Sequence, residues 1–304
     1  LFLNLFDNHP DLLVYPIDIA IFYAYYPEYI KPNYSDQQRL ERINKVIFDE
    51  LGEYGNISKT LDIALFREIF FTKINGKDLT NIGIILKVLL NSYQESLGAF
   101  NKKYFVVKET SLEIYATELF GLFQNAHFLH LIRDPRDNYA AIKAGVKRYS
   151  KFGDDEMTLL NSVLHRGLLG MKMAIENQKS VTKEYYKVIK FEDLVLKTKT
   201  ILSEICEYLD IPYLDSLLIP TELGHATQGN NYDDINMYQV TANNIGRWKE
   251  RIHMDEACII EFYFKEVMES FGYDKDFPVS KTLKPVSNFY KWLNHRYFYF
   301  DRFV

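Results

Sequence analysis

Apolar positions alternate along this chain between short uninterrupted runs and stripes at helical spacing. The runs predict β-strands, and the stripes predict helices that bury one face. A stripe at Leu1, Leu5 and Phe6 predicts an opening helix that a His-Pro turn breaks. The last stripe, at 255–271, predicts a helix ended by Gly272. Strands are predicted at 12–15, 104–107, 128–132 and 186–191.

Two of these strands lead directly into helix-start signals. Thr110 with Glu113 has capping-box spacing, and Asp134 before Pro135 suits an N-cap followed by the first helical turn. Strands that each run into a capped helix indicate βα units and a parallel sheet. The predicted fold class is therefore α/β, with three layers and a central parallel sheet flanked by helices.

The region 23–102 is mainly helical by its pattern. It could shape a substrate pocket or pack the sheet, and the pattern favours neither use. Two apolar stripes predict its buried faces: Leu40, Ile43, Val46 and Ile47, and then Leu61, Ala64, Leu65 and Ile69.

Composition narrows the class of protein. The 304 residues are 47% hydrophobic and 25% charged, with a net charge of -5, so nothing in the overall charge predicts nucleic-acid binding. No apolar stretch approaches the roughly 20 residues of a membrane-spanning helix. Cys206 and Cys258 are expected to be buried free thiols, which weakly favours a reducing, cytoplasmic location. Without repeats or linkers, one domain over 1–304 is expected.

The sequence LIRDPRD at 131–137 is the segment that predicts chemistry. It places Arg133 at the carboxyl end of a strand, where open α/β sheets bind ligands, beside the free amides of the next helix. An arginine fork next to such amides suits a phosphate monoester. A structural ion pair with the neighbouring aspartate is the alternative.

Four segments in this order resemble the sulfotransferases that use 3′-phosphoadenosine 5′-phosphosulfate (PAPS), nearest the bacterial carbohydrate-type and tyrosylprotein-type branches. They are LNLFDNHPD at 3–11, LIRDPRD at 131–137, VIKFEDL at 188–194 and NNIGRWK at 243–249. The resemblance implies a P-loop-type fold and transfer of a sulfuryl group from PAPS to an acceptor hydroxyl. It also implies that the family's phosphate loop precedes Leu1, so the chain is expected to be truncated at its N-terminus.

The resemblance assigns nucleotide-binding roles to particular residues. Arg133 is implied to grip the 3′-phosphate, and Arg247 and Trp248 to belong to the segment that closes over the nucleotide. Ala141 stands where the family usually has a phosphate-contacting serine, and Asn138, one turn earlier, is the expected substitute donor. For Trp248, a role as a core indole is an equal alternative.

Proton removal from the acceptor requires a general base, and Asp18 matches the acidic residue that several branches place after the His-Pro turn. A helix N-cap at Asp18 is the alternative. His9 is a weaker candidate base, while Lys108 and Glu109 are expected to position substrate or nucleotide. No metal is implied, because no cluster has ligand spacing.

Other functions stay open on sequence grounds. A non-catalytic nucleotide-binding relative is one alternative, and a P-loop nucleoside or nucleotide kinase is a weaker one. The acceptor could be a saccharide, a lipid or a protein tyrosine, and the oligomeric state is unknown. Lys147 and Arg148 could extend a positive rim, and the aromatic tail at 280–304 is expected to pack on the domain.

Overall fold

A computed structural model describes residues 1–49, 51, 57–145, 156–180, 184–227 and 239–277. Contacts divide the chain into two compact units. Unit 1 comprises Leu1–Ala126 with Thr198–Val240, and unit 2 comprises His127–Lys197 with Thr241–Val304. Lys147, Arg148 and the tail at 280–304 lie outside the described residues, and the expectation of one domain stays a prediction.

Unit 1 is mostly helical around one parallel strand pair. Its strands are β1 (Leu12–Asp18), β2 (Tyr104–Lys108), and the short β5 (Thr221–Glu222) and β6 (His225–Ala226), which pair with each other in antiparallel fashion. A π-helical turn (Lys45–Asp49) and 3-10 turns (Leu112–Tyr115, Asp215–Leu218) interrupt the α-helices. Those helices are α1 (Phe2–Leu5), α2 (Ile21–Ala24), α3 (Asp36–Asn44), α4 (Ile57–Thr60), α5 (Ile63–Ile74), α6 (Ile82–Ser96), α7 (Ala116–Leu122) and α11 (Thr198–Tyr208).

Strands β1 and β2 pair in parallel, as the sequence predicts. Leu12 faces Tyr104, and Asp18 faces Lys108, with an irregular register between Val14 and Asp18. Pro16 lies in this stretch and has no N–H to donate, which accounts for the break in the ladder. The pairing brings Asp18 and Lys108 side by side at the carboxyl ends of their strands.

The helical region corrects two sequence predictions. Helix α5 buries Phe66, Phe70 and Ile74, whereas Leu65 of the predicted stripe is 42% exposed. The predicted capping box at Thr110 is also wrong. The chain there forms a 3-10 turn with Ser111 at its cap position, and the Thr110 hydroxyl donates to the Asp18 carboxylate instead.

Unit 2 contains the second parallel strand pair, so the α/β class with parallel strands is confirmed. Strands β3 (Phe128–Ile132) and β4 (Tyr186–Lys190) pair from Phe128 opposite Tyr186 to Ile132 opposite Lys190. Its described helices are α8 (Pro135–Gly145), α9 (Glu156–Ser180), α10 (Phe191–Leu196), α12 (Trp248–Arg251) and α13 (Met254–Ser270).

The core of unit 2 forms where α8, α9 and α13 meet β3. Tyr139, Leu164 and Phe264 are fully buried there, and Ile132 contributes the end of the strand. Gly167 permits the close approach of α9 to α13, because a Cβ at this position would lie 3.2 Å from Cζ of Phe264. This packing fixes β3 and α8, the two elements that flank Arg133.

Candidate active site

The turn between β3 and α8 is built as the sequence predicts. Oδ1 of Asp134 accepts a hydrogen bond from the Arg136 amide at 2.8 Å, and its carbonyl accepts the first helical bond, from the Asn138 amide, at 2.9 Å. Asp134 is therefore the N-cap of α8, with Pro135 at the first helical position. The capped helix start fixes the backbone on which Arg133 stands.

Arg133 itself is largely enclosed within unit 2. Its guanidinium lies 4.6 Å from the centroid of the Phe191 ring, and Nη2 donates to the Asn244 carbonyl at 2.6 Å. Its Nε is buried and has no hydrogen-bond partner among the described residues. Burial lowers the pKa of Arg133, while the charges of Asp137 and other nearby carboxylates oppose that shift. A donor left unsatisfied in a cationic, partly enclosed position suits an anionic ligand.

The segment 243–249 is held at the start of α8, although more than 100 residues separate the two in sequence. The Asp137 carboxylate accepts hydrogen bonds from the Gly246 amide at 2.6 Å and the Trp248 amide at 2.9 Å. Gly246 has φ +72°, a conformation that L side chains rarely adopt. Burial raises the pKa of Asp137, and these two amide bonds oppose that shift. The structure thus brings together two of the segments that carried the sequence interpretation.

Trp248 is placed in the core of unit 2. Its side chain is 6% exposed and packs against Ala140 and Ala257. The Arg136 guanidinium lies 4.4 Å from the centroid of its ring. This position supports the alternative in which the indole packs in the core. The packed indole helps to hold the segment 243–249, whose backbone amides bond to Asp137.

Arg136 belongs to a buried network of charges. It contacts Asp134 at 2.7 Å and Glu261 at 2.5 Å. Burial alone would lower the pKa of Arg136, but the hydrogen bonds and charges of these two carboxylates raise it. A guanidinium that is already matched to two carboxylates is a structural group, so Arg133 is the arginine of this motif that suits a ligand.

Two further arginines stand near this turn. Arg247 precedes α12, is partly exposed, and has Nε 3.9 Å from a carboxylate oxygen of Glu250. Arg251, at the end of α12, lies close enough to Arg133 for its positive charge to help lower the pKa of Arg133. The sequence interpretation missed Arg251, whose position one helical turn after Arg247 is the signal that could have revealed it.

Asn138, the expected substitute for the missing serine, points its side chain toward α9. Ala141 is partly buried on α8 and offers no side-chain donor. Asn138 directs its amide nitrogen toward α9, since a Cβ at Gly167 would lie 3.9 Å from that nitrogen. The role predicted for Asn138 stays a prediction, and its surroundings favour helix packing.

In unit 1, Asp18 lies in a small polar cluster at the paired strand ends. Its Oδ1 is 2.5 Å from Nζ of Lys108, and its Oδ2 accepts from the Thr110 hydroxyl at 3.3 Å. All three side chains are partly or fully exposed. Ala20 and Ser111, which flank the cluster, have φ +52° and +70°. Such left-handed non-glycine residues concentrate at functional sites.

The structure also bears on the N-cap role considered for Asp18 and on the other candidate residues, His9 and Glu109. Helix α2 begins at Ile21 with Ala20 at its cap, so Asp18 is not its N-cap. His9 is fully buried: Nδ1 accepts from the Asp11 amide at 3.1 Å, and Nε2 lies 2.7 Å from the Pro212 carbonyl, to which it donates. Because both ring nitrogens are engaged, His9 has a structural role. Glu109 is buried and accepts from the Phe22 amide at 3.0 Å.

The described part of the chain contains neither a candidate metal site nor a candidate membrane-spanning helix. No group of three or more His, Cys, Asp or Glu side chains among the described residues could hold a metal ion. Among the same residues, no helix combines the length and apolar character needed to cross a membrane.

Comparison with known proteins identifies the family. The family model described as "Sulfotransferase family" matches residues 39–215, more than half of the chain, so the chain belongs to the sulfotransferase family. No curated protein sequence matches it.

Two solved structures share the fold. The sulfotransferase domain from the curacin biosynthetic pathway is 16% identical, with a TM-score of 0.55 over 90% of this chain and 93% of that chain. The sulfotransferase domain of the Synechococcus PCC 7002 olefin synthase is also 16% identical, with a TM-score of 0.57 over 91% and 90%. These similarities show a sulfotransferase fold.

Proposed function

We propose that this protein is an enzyme that transfers a sulfuryl group from PAPS to an acceptor hydroxyl and releases adenosine 3′,5′-bisphosphate. Its family membership supports the reaction class. The observation that carries the nucleotide assignment is Arg133, a partly buried guanidinium at a strand end whose buried Nε has no partner among the described residues. A phosphate monoester offers the charge and acceptor oxygens that this donor lacks.

The proposed nucleotide site divides its roles among a few residues. Arg133 would donate to the 3′-phosphate, and the positive charges of Arg247 and Arg251 would add to the local attraction. Asp137 and Trp248 would hold the segment 243–249 in place through backbone bonds and packing. The net charge of -5 makes such a local cluster necessary for anion binding.

The proposed chemical step needs a base as well as an anion site. The acceptor oxygen would form a bond to sulfur as the bond from sulfur to the 5′-phosphate oxygen breaks, and the acceptor's proton would move to a carboxylate. Asp18 is the proposed base. Lys108 and Thr110 contact its two oxygens and would hold it in one orientation. Placement and charge stabilisation would supply most of the rate.

Binding of adenosine 3′,5′-bisphosphate tests the nucleotide site. Arg133→Ala should weaken that binding by about 2 to 5 kcal/mol, because a phosphate would lose an enclosed charged partner. Isothermal titration calorimetry measures the change. Arg67→Ala is the control, since Arg67 also stacks on a ring, with 6.0 Å to the Phe71 centroid, but lies in unit 1. An unchanged affinity in Arg133→Ala would assign Arg133 to a structural role.

Transfer of label from PAPS tests catalysis and the acceptor class. The protein, incubated with labelled PAPS, should modify one class among saccharide, lipid and tyrosine-peptide hydroxyls. Nucleotide binding without transfer to any class would favour the non-catalytic alternative. Binding of ATP with transfer of phosphate would favour the kinase alternative.

A further inference from the structure

A second carboxylate, from the helix that follows the strand beside β3, contacts the backbone of the Arg133 turn. Glu192 stands in the first turn of α10, directly after β4. Its Oε1 accepts the Asp134 amide at 2.9 Å, so it holds the peptide that joins Asp134 to Arg133. The parallel register of Ile132 with Lys190 places these two strand ends next to each other.

The other oxygen of Glu192 is held by a tyrosine. Oε2 accepts the Tyr273 hydroxyl at 2.9 Å, and Tyr273 is 8% exposed. Burial and then the charge of Glu192 raise the pKa of Tyr273 far above its usual range, so the hydroxyl keeps its proton and donates.

Tyr273 is itself fixed by its surroundings. Nζ of Lys190 lies 4.1 Å from the centroid of its ring and donates to the Phe271 carbonyl at 3.0 Å. Gly272, at φ +67°, turns the chain sharply after α13 and delivers Tyr273 to this position. The ring therefore has little freedom to move away from Glu192.

A negative charge at this turn has an electrostatic cost for a site that binds anions. A neutral acceptor could hold the Asp134 amide without that cost. Glu192 lies close enough to Arg133 for its charge to raise the pKa of Arg133 against the effect of burial. The carboxylate therefore fixes the peptide at Arg133, and its negative charge also offsets part of the cost of enclosing the guanidinium.

We propose that Glu192 and Tyr273 are positioning residues for the 3′-phosphate site: Tyr273 orients the Glu192 carboxylate, which in turn sets the backbone from which Arg133 reaches its ligand. This inference rests on the proposed function, because it assigns a purpose to the placement of Arg133. It goes beyond that function by extending the nucleotide site to the chain after α13, which none of the four sequence segments contains.

Tyr273→Phe tests the inference with little change in shape. The ring and its contact with Lys190 remain, while the bond to Glu192 is lost. The affinity for adenosine 3′,5′-bisphosphate should fall about tenfold, and the affinity for adenosine 5′-phosphate should stay within about twofold, because only the first ligand carries the 3′ group. Calorimetry with both ligands gives the two values. A merely structural tyrosine would change both affinities alike or neither, and either result would overturn the inference.

Tyr139→Phe is a closely matched control. Tyr139 is also buried in unit 2, its hydroxyl donates to Glu256, and Lys143 bonds to the same carboxylate. This variant should lose similar thermal stability and keep its affinity for the bisphosphate within about twofold. An equal loss of affinity in the two variants would show that general loosening of unit 2 is responsible, and would overturn the inference.

Glu192→Gln and Glu192→Ala supply a second test if Tyr273→Phe folds poorly. Glutamine keeps an acceptor for the Asp134 amide, so its affinity should stay within about threefold, while alanine should lose about tenfold or more. Equal losses in the two would contradict positioning by hydrogen bonds. Wild-type protein that binds no bisphosphate would overturn the proposed function and this inference together. Wild-type binding with unchanged affinity in Tyr273→Phe overturns the inference alone.

Discussion

At the scale of single residues, Asp18 is the side chain whose role the structure narrows most. The sequence allowed either a general base or a helix N-cap. The helix start at Ile21, with Ala20 at the cap, removes the second role. What remains is a carboxylate at a strand end, paired with Lys108 and hydrogen-bonded by Thr110. Those contacts suit a carboxylate that must keep one orientation while it accepts a proton.

Asp18→Asn separates proton acceptance from shape. The amide keeps the size of the side chain and can still accept from Thr110, but it cannot take the acceptor's proton. Turnover should fall about a hundredfold or more while the affinity for adenosine 3′,5′-bisphosphate stays nearly unchanged. Single-turnover assays with labelled PAPS measure the first quantity and calorimetry the second.

The matched control lies at the other end of β2. Asp210 pairs with Lys103 at 2.7 Å, as Asp18 pairs with Lys108, and Lys103 directly precedes the strand that Lys108 ends. Asp210→Asn makes the same chemical change in an exposed ion pair, and turnover should remain near normal. Normal turnover in Asp18→Asn as well would remove Asp18 from the proposed mechanism.

At the scale of elements, α8 and the segment 243–249 form the central connection of unit 2. The Asp137 carboxylate meets two backbone amides of that segment, and Gly246 makes the turn between them possible. The sequence analysis placed Asp137 in the LIRDPRD segment and assigned it no distant partner. Its actual partners are more than 100 residues away, and hydrophobic periodicity reports nothing about such distant pairs.

Substitutions at this connection should rank in a definite order. Asp137→Ala leaves two amides without partners and should lower the free energy of unfolding by about 2 to 4 kcal/mol. Gly246→Ala places a side chain at φ +72° with no atom within 4 Å, so it should cost only about 1 to 2 kcal/mol, from backbone strain. Both should weaken binding of the bisphosphate. Urea denaturation and calorimetry supply the two measurements.

Gly98→Ala distinguishes backbone strain from the function of the segment. Gly98 has φ +62°, and a Cβ at this position would likewise meet no atom within 4 Å, but the residue lies in unit 1. The variant should lose about as much stability as Gly246→Ala and keep its nucleotide affinity. A stability loss in Asp137→Ala no larger than in Gly98→Ala would contradict the role given to the Asp137 carboxylate.

Local signals predicted the elements around the site well. The run at 128–132 became β3 at those bounds, and Asp134 caps α8 through its own carboxylate. These features depend on a few neighbouring residues. Helix α5 shows where such signals fail, because its apolar residues surround the axis. Phe66 and Phe70 compete with Leu65 for the core, and periodicity does not decide which face is buried.

The sequence could predict a residue of the candidate site only where that residue's own position or segment indicated its role. Arg133 follows from a strand end and a resemblance in sequence. Arg251, Glu192 and Tyr273 act through proximity to Arg133 or to its backbone, and each is distant from it in sequence. Arg251 has one local signal, its place one helical turn after Arg247, and Glu192 lies in the segment 188–194 that carried the resemblance. Tyr273 has neither signal, and only the folded arrangement of unit 2 shows how the three residues relate to Arg133.

At the scale of the whole molecule, two enclosed histidines link stability to pH. Burial lowers the pKa of His130 to about 4, and burial also lowers that of His165 to about 4. His130 lies in β3 and shares a 2.6 Å hydrogen bond with the Tyr186 hydroxyl, whose oxygen also accepts from Asn177 at 3.1 Å. A proton added to either imidazole in the folded protein would have little compensating solvation.

The free energy of unfolding should therefore fall as the solution is acidified from about pH 6.5 toward about pH 4. In this window the unfolded chain protonates both histidines while the folded protein does not, so the unfolded state binds more protons and stability rises with pH. Each histidine contributes a slope of up to about 1.4 kcal/mol per pH unit. Urea denaturation at about pH 6.5, 5.75 and 5 measures this slope. The variant His130→Gln should show a smaller change of stability with pH, whatever its stability at the highest of these pH values.

His225→Gln is the control, because the exposed imidazole of His225 is bonded to the Thr60 hydroxyl. An equal slope in His130→Gln and wild type would show that His130 does not resist protonation in the folded protein.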